Sequence, residues 1–172
     1  MTPSGSSSAN RERPSAETPL LLLDANILLR AARPGFRWQP EAERLLGALH
    51  VAVPSSVLLE VDQLAARGVS GARAASAIAR TFPSVPGPGE GDDAIVALAV
   101  RVQATVLTAD RRLARRLNEA GLDALVPRDR TRLELRPALP VGASGSSARA
   151  TVKKRPRFRT PVGVRPRRHA RR

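Results

Sequence analysis

The chain has 172 residues and a formal net charge of +14 at pH 7, a length that suits one domain with tails. It contains no cysteine, which excludes disulfides and thiolate metal sites and fits a reducing cytoplasm. No apolar run approaches the length of a membrane span, and the N-terminal residues lack the apolar core of a secretory signal. We therefore expect a cytoplasmic protein with no membrane association.

The positive charge is concentrated near the C-terminus. Residues 141–172 contain 11 Lys or Arg and no acidic residue, whereas the rest of the chain carries 18 basic against 15 acidic residues. A basic segment without acids is typical of contact with a polyanion, most often nucleic acid, and a membrane surface is the lesser alternative. The run predicted to capture nucleic acid electrostatically contains Lys153, Lys154, Arg155, Arg157 and Arg159.

The first half of the chain predicts a flexible leader followed by alternating strands and helices. Residues 1–17 are polar and have no hydrophobic period, which predicts the leader. Leu20 to Leu23 is fully apolar and predicts a buried central strand, and His50 to Val53 predicts a second strand. Helices are predicted over residues 25–32, 40–49, from Pro54 to 66, and over 70–82.

The second half continues the alternation and ends in a basic tail. Residues 83–91 are rich in proline and glycine, which predicts a loop, and the stretch 92–102 is apolar nearly all round, which predicts a buried helix. An amphipathic helix is predicted over 110–120, and strands are predicted at 104–107, 122–126 and 132–135. The pattern predicts one α/β domain over residues 18–136 with a mainly parallel sheet, followed by a disordered tail over 137–172.

Acidic residues occur where an isolated carboxylate is unfavourable. Asp24 and Asp110 directly follow the two apolar strands, Glu60 borders the apolar arc of its helix, and Asp92 and Asp93 open the apolar helix. In open parallel sheets such positions meet at the carboxyl ends of the strands. Clustered carboxylates are costly unless a cation neutralises them, which predicts a divalent metal site and chemistry on phosphates. Taken singly, each residue also fits a helix cap, a helix-dipole partner or a solvated side chain.

The body of the chain lacks the residues that rival phosphate chemistries require. Both lysines, Lys153 and Lys154, lie in the basic tail, and residues 18–140 contain a single histidine, His50. There is no P-loop sequence and no G-x-S-x-G motif, and a phosphoaspartyl enzyme would need a lysine in the body. Carboxylates are the reactive groups that the composition leaves.

Four segments around these acids resemble the motifs of PIN-domain (PilT N-terminus) ribonucleases. They are LLDANILL around Asp24, PSSVLLEV around Glu60, GDDAI around Asp92 and Asp93, and VLTADRRL around Asp110. The resemblance covers about residues 19–135 and implies a three-layer α/β/α fold and a Mg²⁺- or Mn²⁺-dependent endoribonuclease that uses a metal-activated water. It implies the acidic quartet Asp24, Glu60, Asp93 and Asp110, with Asp92 as a further metal ligand and Asn26 and Thr108 in support.

Two details refine the resemblance. The Asp92-Asp93-Ala94 sequence is closer to ribosomal-RNA-processing and archaeal-type PIN proteins than to many VapC toxins. The fourth motif carries Ala109 where the family often has Asn, while Thr108 keeps a hydroxyl there. A VapC-type toxin, a non-catalytic nucleic-acid-binding module and a nuclease that cuts DNA are the alternatives. Because all four acidic motifs are present, we favour an active enzyme.

Arginines near the predicted site are candidates for binding the substrate. The candidates are Arg30, Arg33, Arg111 and Arg112, and each of them also fits an ordinary solvated surface residue, as do Arg128, Arg130 and Arg132. We expect RNA, single-stranded or structured, as the partner, and the sequence leaves open a ribosomal partner, an antitoxin and a homodimer. Trp38 and His50 are interpreted as structural or surface residues.

Overall fold

The computed structural model describes residues 18–139. The predicted leader (1–17) and the basic run from Lys153 to Arg159 lie outside the described residues, so their predicted roles stay predictions. Within residues 18–139 no helix is both long and apolar enough to cross a membrane.

A mainly parallel sheet forms the centre of the described domain. Its strands are β1 (Leu20–Leu23), β2 (His50–Pro54), β3 (Ser84–Val85), β4 (Thr105–Leu107), β5 (Ala124–Pro127) and β6 (Leu133–Arg136). They lie in the order β3-β2-β1-β4-β5-β6. Every neighbouring pair is parallel except β5 and β6, which pair antiparallel. The predicted α/β fold is therefore confirmed.

Helices connect the parallel strands. Those of the described region are α1 (Ala25–Ala31), α2 (Gln39–Leu46), α3 (Ser55–Ala66), α4 (Ala72–Ala79), α5 (Gly91–Val102) and α6 (Arg111–Glu119). The chain moves outward from β1 to β3, returns to β4, and then moves outward in the other direction. Because crossovers between parallel strands are right-handed, α1 to α4 cover one face of the sheet and α5 and α6 cover the other. The result is the three-layer arrangement that the resemblance implies.

The central strands β1 and β4 lie side by side and define the crevice at the edge of the sheet. Leu22 pairs with Val106 and Leu23 with Leu107. The connection after β1 leads to one side of the sheet and the connection after β4 leads to the other, which opens a crevice at their carboxyl ends. The backbone N–H of Asp24 donates to the carbonyl oxygen of Leu107 (3.1 Å), so Asp24 is fixed at this point.

The core explains the unbroken apolar runs of the central strands. Leu21, Leu22 and Leu107 are fully buried, because helices cover both faces of the sheet. The prediction that α5 is buried all round was wrong: Leu98 is fully buried, but Val100 on another face is 41% exposed. An apolar residue on a partly open face costs little, so hydrophobicity alone did not reveal the exposed side.

Trp38 and His50 occupy structural and surface positions, respectively. Trp38 is buried, and its ring lies 6.1 Å from that of Phe82 at a tilt of 55°, a geometry favoured by aromatic pairs. His50 is exposed and begins β2. It therefore lies at the amino end of the strand, opposite the crevice.

Two boundaries differ from the sequence prediction. The predicted loop 83–91 contains β3, which pairs with the end of β2 and is too short to show any hydrophobic period. Residues 137–139, predicted to begin the tail, are bound to the domain. The N–H of Ala138 donates to Asp123 Oδ1 (2.7 Å) and that of Leu139 to the carbonyl oxygen of Asn118 (3.0 Å). Backbone hydrogen bonds of this kind leave no hydrophobic pattern in the sequence.

Candidate active site

Asp24 is the buried carboxylate of the crevice. It follows β1 directly and caps α1, with Oδ1 accepting a hydrogen bond from the N–H of Ala25 (2.7 Å). Its Oδ2 accepts a hydrogen bond from the hydroxyl of Thr108 (2.6 Å), and the residue is 6% exposed. The helix-cap interpretation is therefore correct for Asp24, and the same carboxylate still faces the crevice where the two central strands end.

Asn26 and Thr108 hold Asp24 in one orientation. The amide nitrogen of Asn26 donates to Asp24 Oδ2 and to Thr108 Oγ1, the latter at 3.3 Å. Thr108 Oγ1 also accepts from the N–H of Asp110 (3.0 Å), so its donor and both of its acceptor sites are used. Both predicted supporting residues thus bridge the ends of β1 and β4.

The same network accounts for Ala109 in the fourth motif. Its backbone N–H donates to the side-chain oxygen of Asn26 (2.8 Å). Any residue other than proline supplies that N–H. The network therefore places no demand on the side chain at position 109.

The electrostatic environment of Asp24 includes two further carboxylates. Burial is the largest cause that raises the pKa of Asp24 from its ordinary 3.8 to about 6. Hydrogen bonds from Thr108 and Ala25 oppose this rise, and the charges of Glu60 and Asp92 add to it. The three acids Asp24, Glu60 and Asp92 thus repel one another across the crevice.

Glu60 and Asp92 line a small cleft of about 210 Å³ between α3 and α5. Glu60 is exposed as a whole residue, but partial burial of its carboxyl raises its pKa, and the charge of Asp92 raises it further while that of Arg67 lowers it. The hydroxyl oxygen of Ser56, another residue of this cleft, is buried and has no hydrogen-bond partner within residues 18–139. The cleft therefore combines two anionic groups with an unpartnered polar atom.

Asp93 is directed away from this cleft. Its side chain is 87% exposed and forms a close ion pair with Arg116 of α6. The same guanidinium lies 3.9 Å from Asp92 Oδ2. Of the two neighbouring acids, Asp92 lines the cleft with Glu60 and acts on Asp24 through its charge, whereas Asp93 lies beside α6. No sequence pattern pointed to a role for Arg116, because its ion pair with Asp93 joins positions that are 23 residues apart.

Asp110 caps α6. Its Oδ1 accepts from the N–H groups of Arg112 (2.7 Å) and Leu113 (3.2 Å). Its own N–H is bound to Thr108, which ties its backbone to the Asp24 network. The carboxylate itself is engaged with the start of the helix, so the cap interpretation is correct here too.

Asp62 has a structural role that separates it from Glu60 on the same helix. It accepts hydrogen bonds from the hydroxyl of Ser76 (2.5 Å) and from Arg80 (2.6 Å). These bonds join α3 to α4, away from the acidic cleft.

The acidic residues fit a divalent cation in their chemistry. Within the described part of the chain, no three His, Asp or Glu side chains lie close enough together to hold one ion. Asp24, Glu60 and Asp92 nevertheless offer hard anionic oxygens that repel one another, and the unpartnered hydroxyl of Ser56 lies in the same cleft. Glu60 and Asp92 are solvent-accessible side chains that can change rotamer, whereas Asp24 is held by its hydrogen bonds.

The predicted substrate-binding arginines fall into two groups. Arg111 and Arg112 are exposed in the first turn of α6, where a positive charge is unfavourable to the helix dipole. Arg30 and Arg33 are exposed at the end of α1 and line a groove of about 400 Å³. Arg130, in the turn between β5 and β6, completes the basic lining of this groove.

The fold and the acidic crevice define a PIN-like domain. Residues 21–130 match the family described as a PIN like domain, and the chain belongs to this family. Among solved structures, the chain is similar to that titled "Structure of the PIN domain endonuclease Utp24", with 20% identity and a TM-score of 0.58. The match covers 69% of this chain and 91% of that one, and at this identity it shows the fold. No curated protein sequence matches the chain.

Family membership confirms the resemblance that the four acidic motifs carry. It supports nuclease activity in general terms.

Proposed function

We propose that the protein is an endoribonuclease that uses Mg²⁺ or Mn²⁺ and hydrolyses RNA phosphodiester bonds with a water molecule. The observation that carries the proposal is the buried carboxylate of Asp24, whose pKa is raised to about 6 by burial and by the charges of Glu60 and Asp92. A protein gains nothing in stability by directing three like charges at one crevice. A bound cation would neutralise the repulsion among these carboxylates, and a cation in an acidic cleft suits chemistry on phosphates.

Asp24, Glu60 and Asp92 would hold the metal. When bound, such an ion would supply acidification of a water molecule and stabilisation of negative charge on the phosphate oxygens. Asp93 and Asp110, which complete the acidic set proposed from the sequence, contribute negative potential at the rim of the crevice. Asp93 does so while paired to Arg116, and Asp110 while capping α6.

The other polar residues prepare the site before substrate arrives. Thr108 and Asn26 fix the Asp24 carboxylate, so little side-chain entropy is lost when it binds a cation. Burial beneath the strand ends keeps water from screening its charge. His50, the single histidine of the described residues, lies at the opposite edge of the sheet and takes no part.

The competing roles predict different behaviour. A non-catalytic binding module would need neither the buried charge of Asp24 nor its hydrogen-bonded support. A VapC-type toxin would share the chemistry but would be inhibited by an antitoxin. We propose a cytoplasmic enzyme acting on RNA, and a ribosomal partner or a homodimer is compatible with the same site.

Cleavage of labelled single strands tests the proposal. RNA and DNA of one sequence are incubated with the full chain in Mg²⁺, in Mn²⁺ and in EDTA. We expect internal cuts in RNA that require a metal, and we expect Glu60→Gln to slow them at least tenfold, as the loss of a charged metal-binding group does. Glu119→Gln is the matched control, because Glu119 is an exposed helix residue whose ion pair is with Arg115. Cleavage in EDTA, or equal rates for the two variants, would show the proposal to be wrong.

A further inference from the structure

We propose that the groove between the end of α1 and the β5–β6 turn binds the phosphates of a single RNA strand and leads that strand to the carboxylates. The binding site itself follows from the groove's own charges and walls. Only its role in guiding substrate rests on the proposed function.

Three guanidinium groups and one carboxylate line this groove, so positive charge is in excess. The guanidinium groups belong to Arg30, Arg33 and Arg130, and the other lining residues are Pro34, Phe36 and Asp129. Within residues 18–139, none of the three arginines forms a salt bridge, although five other arginines of the domain do. Three like charges around one depression raise its positive potential and attract an anion.

Asp129 lines the groove but forms no salt bridge with the three arginines. Its Oδ1 accepts hydrogen bonds from the N–H groups of Thr131 (2.8 Å) and Arg132 (2.8 Å) and from the Thr131 hydroxyl (3.2 Å). These hydrogen bonds, first that of the Thr131 backbone, lower the pKa of Asp129. The carboxylate therefore closes the β5–β6 turn, and the groove keeps an excess of positive charge.

The two walls of the groove are joined by a backbone hydrogen bond. The N–H of Arg37 donates to the carbonyl oxygen of Arg130 (3.0 Å), which links the segment between α1 and α2 to the turn. The turn itself is closed by the N–H of Arg128, which donates to the carbonyl oxygen of Arg132 (2.9 Å). The arginines are thus presented from a fixed frame, which lowers the entropy cost of binding.

Positive charge continues on the other side of the same turn. A second depression, of about 510 Å³, is lined by Arg44, Arg128 and Arg132 together with Glu41. Glu41 pairs with Arg44 at 2.8 Å, which leaves Arg128 and Arg132 as the cations of this depression with no salt bridge in the described residues. The turn between β5 and β6 therefore carries unneutralised arginines on both of its sides.

The groove lies at the same edge of the sheet as the acidic crevice. β5 runs parallel to β4 and β1, so the turn after β5 lies at the carboxyl ends of all three strands. α1 begins immediately after Asp24, and Arg30 follows six residues later, which is about 9 Å along the helix axis. At ~3.4 Å per stacked nucleotide, this offset is about two to three nucleotides of one strand.

The lining chemistry favours phosphate over an acidic peptide. Arginine forks match the oxygens of a phosphate in two-pronged hydrogen bonds, and the described residues contain no lysine at all. Phe36 is half-buried and is the single aromatic residue of the groove. One such ring adds little stacking, so the affinity should be electrostatic and tolerant of base sequence.

Binding of a labelled RNA strand in EDTA tests the groove without cleavage. The full chain is compared with Arg30→Gln/Arg130→Gln and with the control Arg73→Gln/Arg115→Gln, which removes the same charge from exposed positions on α4 and α6. We expect the groove variant to bind about tenfold more weakly and to lower the slope of log affinity against log salt by about 1.4. The control should change affinity less than about twofold.

Three results would overturn the proposal. One is equal weakening by the groove and control variants, which would show that charge alone matters. The second is unchanged binding by the groove variant. The third is displacement of the RNA by a poly-glutamate peptide at equal charge concentration, which would favour an acidic protein partner.

This outcome is separable from that of the nuclease proposal. If the wild-type chain cuts no RNA but the groove variant binds RNA more weakly, the groove proposal stands and the nuclease proposal is wrong. If the wild-type chain and the groove variant cut RNA at equal rates, the nuclease proposal stands and the role of the groove in guiding substrate is wrong.

Discussion

Thr108 donates a 2.6 Å hydrogen bond to Asp24 Oδ2, and this bond joins the carboxyl ends of the two central strands. The two residues are 84 positions apart in the chain. Asp24 is buried by the strands and would be protonated more readily without this donor, because the Thr108 hydrogen bond lowers its pKa. The hydroxyl therefore favours the charged form of this buried carboxylate, which the proposed metal site requires.

Thr108→Val should raise the pH that the enzyme needs for full activity. Loss of the hydroxyl removes a bond that favours the charged form of Asp24, so the pKa of Asp24 rises further. We expect the acidic limb of the pH–rate profile to move to higher pH and metal affinity to fall about 10- to 100-fold. Thr108→Ser keeps the hydroxyl and should restore the wild-type limb. An unshifted limb in Thr108→Val would contradict the role of this bond.

Asp24 should lower the stability of the metal-free protein as pH rises. Its pKa is about 6 when folded and near its ordinary 3.8 when unfolded, so between these values the folded state holds the extra proton. Stability therefore falls from pH 4 to pH 6 and stays lower above it, by at most about 3 kcal/mol from this group. Urea unfolding in EDTA should show that the free energy of unfolding of Asp24→Asn rises relative to that of wild type between pH 4.5 and pH 7.5. A constant difference between the two proteins would contradict the raised pKa.

Asp92 and Asp93 should differ in their importance. Asp92 shares the crevice with Asp24 and Glu60, whereas Asp93 is 87% exposed and paired with Arg116. We expect Asp92→Asn to reduce the single-turnover cleavage rate at least 100-fold and Asp93→Asn to reduce it less than about tenfold. If Asp93→Asn is the more damaging variant, the acidic quartet that the sequence resemblance implies is correct as it stands.

Asp110 combines a cap with a charge, and two substitutions separate these roles. Asp110→Ala removes the cap of α6 and should cost about 1 kcal/mol of stability, whereas Asp110→Asn keeps a capping oxygen. Both variants should lower cleavage, by about tenfold, because both remove negative charge from the rim. Full activity in Asp110→Asn would show that the residue acts only as a cap.

Replacing Ser56 with alanine should stabilise the metal-free protein. Its buried hydroxyl has no partner among residues 18–139, and an unsatisfied buried group costs about 1–3 kcal/mol. Ser56→Ala should therefore raise the thermal midpoint of the metal-free protein in EDTA. A lower midpoint would indicate that the hydroxyl already contributes to stability.

The fold could be predicted because the local patterns agree with the tertiary structure. Leu20 to Leu23 is apolar throughout because both faces of β1 are covered, and the helix ends follow the turn residues around Pro54 and Gly121. The two-residue β3 and the bonds of Ala138 and Leu139 could not be predicted, because they depend on backbone hydrogen bonds between distant segments.

The candidate site was predictable by position and less so by orientation. The resemblance implied that Asn26 and Thr108 support the site, and in the structure both form hydrogen bonds with Asp24. The choice between Asp92 and Asp93 depends on Arg116, which reaches them from another helix. A sequence reveals which residues lie near a helix start, but not which distant cation will pair with one of them.

The most direct test of the metal-dependent site is the single-turnover cleavage rate of one labelled RNA strand in Mg²⁺. Asp24→Asn is compared with wild type and with Asp123→Asn, which changes an acid at the opposite end of β5 that binds the N–H of Ala138. We predict that wild type and Asp123→Asn cut the RNA at similar rates and that Asp24→Asn is at least 100-fold slower. Equal rates for Asp24→Asn and wild type would contradict a metal-dependent active site at the ends of β1 and β4.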